Sequence, residues 1–314
     1  MFIKKKLILI LIITTAIIAS LGVVCGGVYY LNNRITYTIN DTLPNGQGKS
    51  AKVIILAGQS NASGCSSDEY LQRNVSANKY EQYQKGFDNV YINYISGKNA
   101  SQAFVKCSTK QGELKDSFGP ELGMAEKLNQ LYPNELFFII KCAWGDTNLH
   151  TQWLSPSSTG KTGQKYREFE AFVSANIKYL LSKNYNIKIE GMCWMQGESD
   201  SFLKETATMY EYRLNNFIKD IRKKFSKYAS DNGIAFVDAY IAANPIYWVE
   251  YKLLNQSKFH VSNLSSMNTV IDTNAAGLAC SQEPEDSPDI PHYDSLSQIK
   301  LGHLFAERVC QFFD

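Results

Sequence analysis

The run V-I-I-L-A-G-Q-S-N-A-S-G, Val53 to Gly64, decides how the chain is read. Its first half is apolar and strand-forming, and at Gly58 it gives way at once to small polar residues. That is the pattern of a buried strand delivering side chains to the rim of a sheet. Ser60 is the side chain so delivered. A serine hydroxyl is a poor nucleophile at neutral pH, so the position acquires chemistry only if a histidine takes its proton and an acid orients that histidine. Asp289-Ile290-Pro291-His292 offers both in one short loop. A carboxylate three residues before a histidine reaches Nδ1 across a turn, Pro291 stiffens the turn by fixing φ, and Nε2 is left to face Ser60.

Working outward, apolar runs predict strands at Val90 to Ile95, Leu136 to Ala143, Ile187 to Met195 and Ile234 to Val237. Helical spacing of apolar residues predicts helices from Pro120 to about Tyr132, Arg167 to Lys183, Thr206 to Tyr228 and Leu296 to Phe313. Strands alternating with helices imply an α/β fold, a three-layer α/β/α sandwich around a central parallel sheet. Ligands of such sheets bind outside the carboxyl ends of the strands, where Ser60, Gly145 and Gln196 fall. Asp68 to Gly86 reads as a polar and aromatic excursion over the surface. The stretches 68–112 and 238–286 receive no role.

The chain has 314 residues, 44% of them hydrophobic, and a net charge of +2. This suits one large domain or two small ones with an ample core. Balanced charge without a basic stripe gives no footprint for nucleic acid. The cysteines show neither C-x-x-C spacing nor histidine partners at zinc-like intervals, so no metal and no cofactor are expected. Cys142 and Cys193 read as buried thiols. Cys65, Cys107, Cys280 and Cys310 are open to pairing if the domain is extracellular. Lys4, Lys5 and Lys6 precede Leu7 to Leu31, an uncharged run long enough to cross the roughly 30 Å hydrocarbon core as a helix. Lysines on that side predict a cytoplasmic N-terminus and an exported remainder. The run exceeds the roughly 7 to 15 residues of a signal-peptide core, which favours a membrane anchor in 1–31 over a cleaved signal segment that would leave the domain secreted. The membrane is expected to be met through this segment only. Residues 32–50 are polar, with Pro44, Gly46 and Gly48, and read as a linker to a folded domain at 51–314.

The tetrapeptide Gly58-Gln59-Ser60-Asn61 resembles the nucleophile block of the SGNH hydrolases. More narrowly, it resembles the branch of sialate O-acetylesterases and of the acetylxylan esterases of carbohydrate esterase family six. It is not a G-x-S-x-G elbow, because Ala62 stands two residues after Ser60. The F-G-P-E stretch ending at Glu121 and Trp194-Met195-Gln196-Gly197-Glu198 resemble the same branch, and Asp289 to His292 resembles the fifth SGNH block. The resemblance implies an SGNH, flavodoxin-like fold and a serine esterase that removes O-acetyl groups from a sialic acid or xylan-type glycan. Ser60 would be the nucleophile, His292 the base and Asp289 its orienting acid. It carries the oxyanion donors onto the backbone N–H groups of Ser60 and Gly145 and the side chain of Gln196, where most SGNH enzymes have Asn. The family's second-block G-G stands here as Trp144-Gly145. Gln59, Asn61 and Glu198 would support these groups from behind. Trp144, Trp153 and Trp194 lie near strand ends, where a sugar ring could stack. Among the other histidines only His150, with Asp146 four residues earlier, rivals His292; His303 and His260 read as structural. The same serine machinery would serve a lipid or peptidoglycan ester, and a non-catalytic glycan-binding module is the alternative outside enzymes.

Overall fold

Strand β1 (Ser50–Gly58) is the axis of the sheet, and Val53 to Ala57 within it are fully buried because helices cover both faces. The structure is a computed structural model and describes residues 35–313. Five further strands lie parallel to β1: β2 (Val90–Ser96), β3 (Phe137–Ala143), β4 (Asn186–Met195), β5 (Ala235–Ala239) and β6 (Asn268–Ile271), in the order β6-β5-β4-β1-β3-β2. Two short strands, Asn99–Ala100 and Val105–Lys106, pair antiparallel with β2. This mixed, mostly parallel sheet between helices is the expected α/β sandwich of the SGNH type.

The direction of winding reverses at β1. The chain goes from β1 to β2 on one side, returns to β3, and then crosses to β4 on the other. The carboxyl end of β1 is therefore the switch point at which such sheets open a crevice. Register sets the rest: Gly58 is level with Ala143 of β3 and with Met195 of β4. The segments that begin at Gln59, Trp144 and Gln196 thus leave the sheet side by side.

The helices are α1 (Glu121–Leu131), α2 (Gln164–Ser182), α3 (Tyr210–Phe225), α4 (Tyr251–Ser262) and α5 (Ser295–Cys310). On one face α5 lies against α1 so closely that a Cβ on Gly302 would stand 2.1 Å from the Pro120 carbonyl oxygen. Gly191 of β4 faces Val309 of α5, whereas Trp194 faces the other way, 4.7 Å from the Phe217 ring of α3. Trp153, Phe169 of α2 and Phe217 complete an aromatic layer there.

Three expectations change. Of the segment read as a linker, the part from Tyr37 onward is packed on the domain: Tyr37 meets Phe172 edge-on at 5.2 Å, Leu43 is buried and Thr42 Oγ1 donates to the Phe104 carbonyl at 2.8 Å. The supposed surface excursion forms two helices, Asp68–Asn74 and Ala77–Lys85, each N-capped by a serine (Ser67, Ser76), and it buries Leu71, Tyr80 and Tyr83. The unassigned 238–286 stretch supplies α4 and the edge strand β6. The segment 1–31 lies outside the described residues, and no helix among those described is long and apolar enough to cross a membrane.

Lys141, in the middle of the apolar run of β3, is the feature that a strand reading passes over. It is fully buried, with Nζ 2.7 Å from Glu121 Oε2 and donating to the carbonyls of Ser63 at 2.8 Å and Gln111 at 3.1 Å. One ammonium thus joins β3, the start of α1 and the turn after β1. Breaking a buried pair by removing one partner costs roughly 3–5 kcal/mol, because the other charge is left uncompensated. Lys141→Met is expected to lose about that much stability in urea denaturation followed by circular dichroism, and Lys141→Met with Glu121→Gln to recover part of it. Unchanged stability in the single variant would contradict this role.

Candidate active site

The turn after β1 is built around Gly58. Its φ is 145°, and a Cβ there would lie 1.9 Å from the Met195 carbonyl oxygen, so β1 and β4 can approach only through a glycine. Ser60 opens a helical turn, Ser60–Ser63, whose far end is held by Lys141. Among the described residues the backbone N–H of Ser60 has no acceptor, and its hydroxyl makes no hydrogen bond.

The loop before α5 comes to this turn through Asn61. The Asn61 Oδ1 accepts the Tyr293 N–H at 3.1 Å, its Nδ2 donates to Glu198 Oε1 at 2.9 Å and lies 3.5 Å from the Pro291 carbonyl, and its own carbonyl accepts Gln298 Nε2 at 2.7 Å. The residues on both sides of His292 are therefore tied to the residue next to Ser60. Ser66 Oγ adds a bond to the Tyr293 carbonyl at 2.7 Å. Within the loop, both carboxylate oxygens of Asp289 lie 2.8 Å from His292 Nδ1. Burial works against the charged ring, but the hydrogen bonds to Asp289 and to Cys65 outweigh it and push the imidazole pKa up to about 10. Asp289 takes Nδ1; among the described residues no hydrogen bond joins Ser60 Oγ to His292. Glu198 is buried, which raises its pKa, and its Oε2 has no hydrogen-bond partner among the described residues. It props Asn61 rather than touching Asp289 or His292.

The three residues assigned to the oxyanion differ. Ser60 N–H is open. Gly145 N–H already donates to Glu113 Oε2 at 3.0 Å, and Ser63 Oγ donates to the same oxygen. No local signal marks Glu113; it stands among other charged residues on a loop that folds back over Gly145. Gln196 is corrected: it is fully buried, and its Nε2 faces the Thr147 carbonyl at 2.9 Å, Asp200 Oδ2 at 2.8 Å and Gln59 Oε1 at 3.2 Å, which exhausts its two hydrogens. Its Oε1 accepts the Tyr210 hydroxyl at 2.9 Å. Gln196 is a strut. Gln59 is another: its Oε1 also meets the N–H groups of Gly197 and Ser199, so it fastens the segment after β4 beside Ser60. Asp200, whose burial pushes its pKa up to about 6, accepts the N–H groups of Leu149 and His150.

Trp144 and Trp194 are corrected too. At 8% and 0% exposed they belong to the aromatic layer, and neither offers a face to a sugar. Trp153 is equally buried. His150 has no carboxylate partner; its Nδ1 stands against the Arg213 guanidinium, and burial together with that charge lowers its pKa. His303 lies on α5 with Nε2 2.9 Å from Glu126, and His260 is exposed beside Glu211. Asp238, at the end of β5, pairs with buried Lys258 at 2.6 Å and with no histidine. The cysteines among the described residues are all free thiols.

The fold is shared with proteins of known structure. No curated protein sequence matches the chain. Among solved structures it is similar to a protein from Arabidopsis thaliana, at 17% identity and a TM-score of 0.60 over 87% of this chain and 100% of that one. It is also similar to NanS, at 15% identity and a TM-score of 0.60 over 84% and 98%. A carbohydrate acetylesterase from Xanthomonas citri aligns at 14% identity and a TM-score of 0.53, over 83% of this chain and 56% of that one. At these identities the likeness shows the fold. The family model described as carbohydrate esterase, sialic acid-specific acetylesterase, matches residues 50–311, and the chain belongs to that family.

Proposed function

We propose that this carbohydrate esterase removes O-acetyl groups from a glycan through an acetyl-enzyme on Ser60. The observation that carries the reading is the Asp289–His292 pair, 2.8 Å apart, on a loop that Asn61 fastens to the Ser60 turn. His292 brings Nε2 to Ser60 and takes the hydroxyl proton as Oγ attacks the acetyl carbonyl. The imidazolium, held by Asp289, returns that proton to the departing sugar hydroxyl. Water then attacks the acetyl-serine, again deprotonated by His292, and acetate leaves. Ser60 N–H receives the oxyanion, joined by Gly145 N–H once Glu113 has moved off it. The uncharged run Leu7 to Leu31 supports an exported domain, anchored at a membrane or released from it.

Fluorophosphonate labelling followed by mass spectrometry of the modified peptide is expected to mark Ser60, and Ser60→Ala to lose both labelling and hydrolysis of aryl acetates. Labelling abolished by Cys65→Ala but kept in Ser60→Ala would instead make the thiol beside His292 the nucleophile.

The pH profile follows from the sign of the His292 shift. Asp289 stabilises the charged ring, so the neutral base form becomes abundant only at a pH above the ordinary histidine value of about 6.5, and kcat/KM rises with pH across an alkaline-shifted limb. Asp289→Asn should lower the rate by about 10⁴-fold and move that limb to lower pH. A limb that stays in place in Asp289→Asn would contradict the pairing.

A charge-assisted hydrogen bond contributes about 1.5–3 kcal/mol, and the one between Glu113 and Gly145 N–H has to be broken before that donor serves the reaction. Glu113→Gln is accordingly expected to raise kcat/KM on an aryl acetate by about tenfold. A fall in kcat/KM with the fold intact would give Glu113 a productive role instead.

A further inference from the structure

The burial of Trp144 and Trp194 leaves the glycan without a stacking surface, and the rim of the sheet supplies another. The turn after β4, Ser199–Phe202, and the loop between β5 and α4 meet at the carboxyl ends of two neighbouring strands, joined by the Glu250 N–H to the Ser201 carbonyl at 2.9 Å. Between them they set out Phe202 and Tyr247, each packed on Trp248, with ring centroids 5.4 Å and 6.1 Å from it. Phe202 is 51% exposed, Tyr247 37% and Ile246 86%, with Leu203 and Val249 also open to solvent. The exposure is built in. The Asn244 carbonyl accepts the Trp248 N–H at 2.7 Å, and its side chain accepts the Ile246 N–H at 3.2 Å, turning the loop outward.

Trp248 itself is buried, 7% exposed with Nε1 shut away from solvent, and serves as the floor on which the two exposed rings lean. The shelf is also continuous with the Ser60 site, since the same turn begins at Ser199, whose N–H donates to Gln59 Oε1 at 3.2 Å. Because β4 adjoins β1, the turn that carries Phe202 leaves the sheet beside the segment that carries Ser60. The exposed rings of Phe202 and Tyr247 match a pyranose, which offers C–H faces for stacking.

We propose that Phe202 and Tyr247, seated on Trp248, form a subsite for pyranose rings of a glycan chain flanking the acetylated unit, which makes the substrate an oligo- or polysaccharide. This rests on the esterase reading of Ser60, and binding measured without chemistry separates the two. By calorimetry, the full protein carrying Ser60→Ala is expected to bind at least one of xylo-, cello-, manno- and chitotetraose, and the added pair Phe202→Ala with Tyr247→Ala to weaken that binding about tenfold, with an unchanged melting temperature. On active protein the same pair should raise KM for the acetylated form of that tetrasaccharide while leaving kcat/KM for an aryl acetate unchanged. If none of the four binds, or the shelf variant binds as the parent does, the subsite is overturned whatever the fate of Ser60. Shelf-dependent binding to phosphatidylcholine vesicles in place of the saccharides would overturn it in favour of a lipid surface. Retained saccharide binding with no esterase activity in any form would leave the subsite standing and remove the esterase.

Discussion

A single side-chain amide, that of Asn61, joins the two ends of the folded domain. It accepts from Tyr293, donates to Glu198, and through its backbone carbonyl receives Gln298 of α5. The loop that carries His292 is rich in proline and acidic residues, and buried Tyr293 at its end and hydrogen bonds such as that of Ser66 Oγ to the Tyr293 carbonyl set its position together with Asn61. Ser60 and His292 are separated by more than two hundred residues, and Asn61, with Ser66 beside it, ties the loop of one to the turn of the other.

Buried charge is used repeatedly for the same purpose. The Lys141–Glu121 pair fixes the far end of the Ser60 turn, and Lys258–Asp238 fixes the end of β5 beneath α4. Desolvation pushes Asp238 up to about 6 even with the lysine beside it, which shows how dry that strand end is. Such pairs add little net stability over apolar residues of the same volume, but they are intolerant of displacement. A buried ammonium with three oxygen partners defines one position for three segments. Leucine in its place would define none.

The sequence makes the fold legible where periodicity is strong. Apolar runs at β1, β3 and β4, and helical spacing in α2, α3 and α5, depend only on local pattern. Ser60, Asp289 and His292 stand out because acyl transfer needs those residue types and because the acid and base sit three residues apart. What escapes the sequence depends on burial. Gln196 looks like a free amide at a strand end until its neighbours Thr147, Asp200 and Tyr210 are placed around it. Trp144 and Trp194 look like platforms until Phe217 and Trp153 cover them. Residues 37–49 look like a linker because polar residues can line a helix surface as readily as they can stay in water. Glu113 and Phe202 carry no local mark at all, since their roles arise from loops folding onto distant strand ends.

If the loop before α5 holds His292 where it can reach the Ser60 oxygen, a crystal structure of the protein after reaction with diisopropyl fluorophosphate will show it. Phosphorus is expected on Ser60 Oγ, with His292 Nε2 within about 2.6–3.2 Å of an adduct oxygen and the Glu113 carboxylate away from Gly145 N–H. An adduct on another residue, or a Ser60 adduct with His292 out of reach of it, would show that the two residues do not act together.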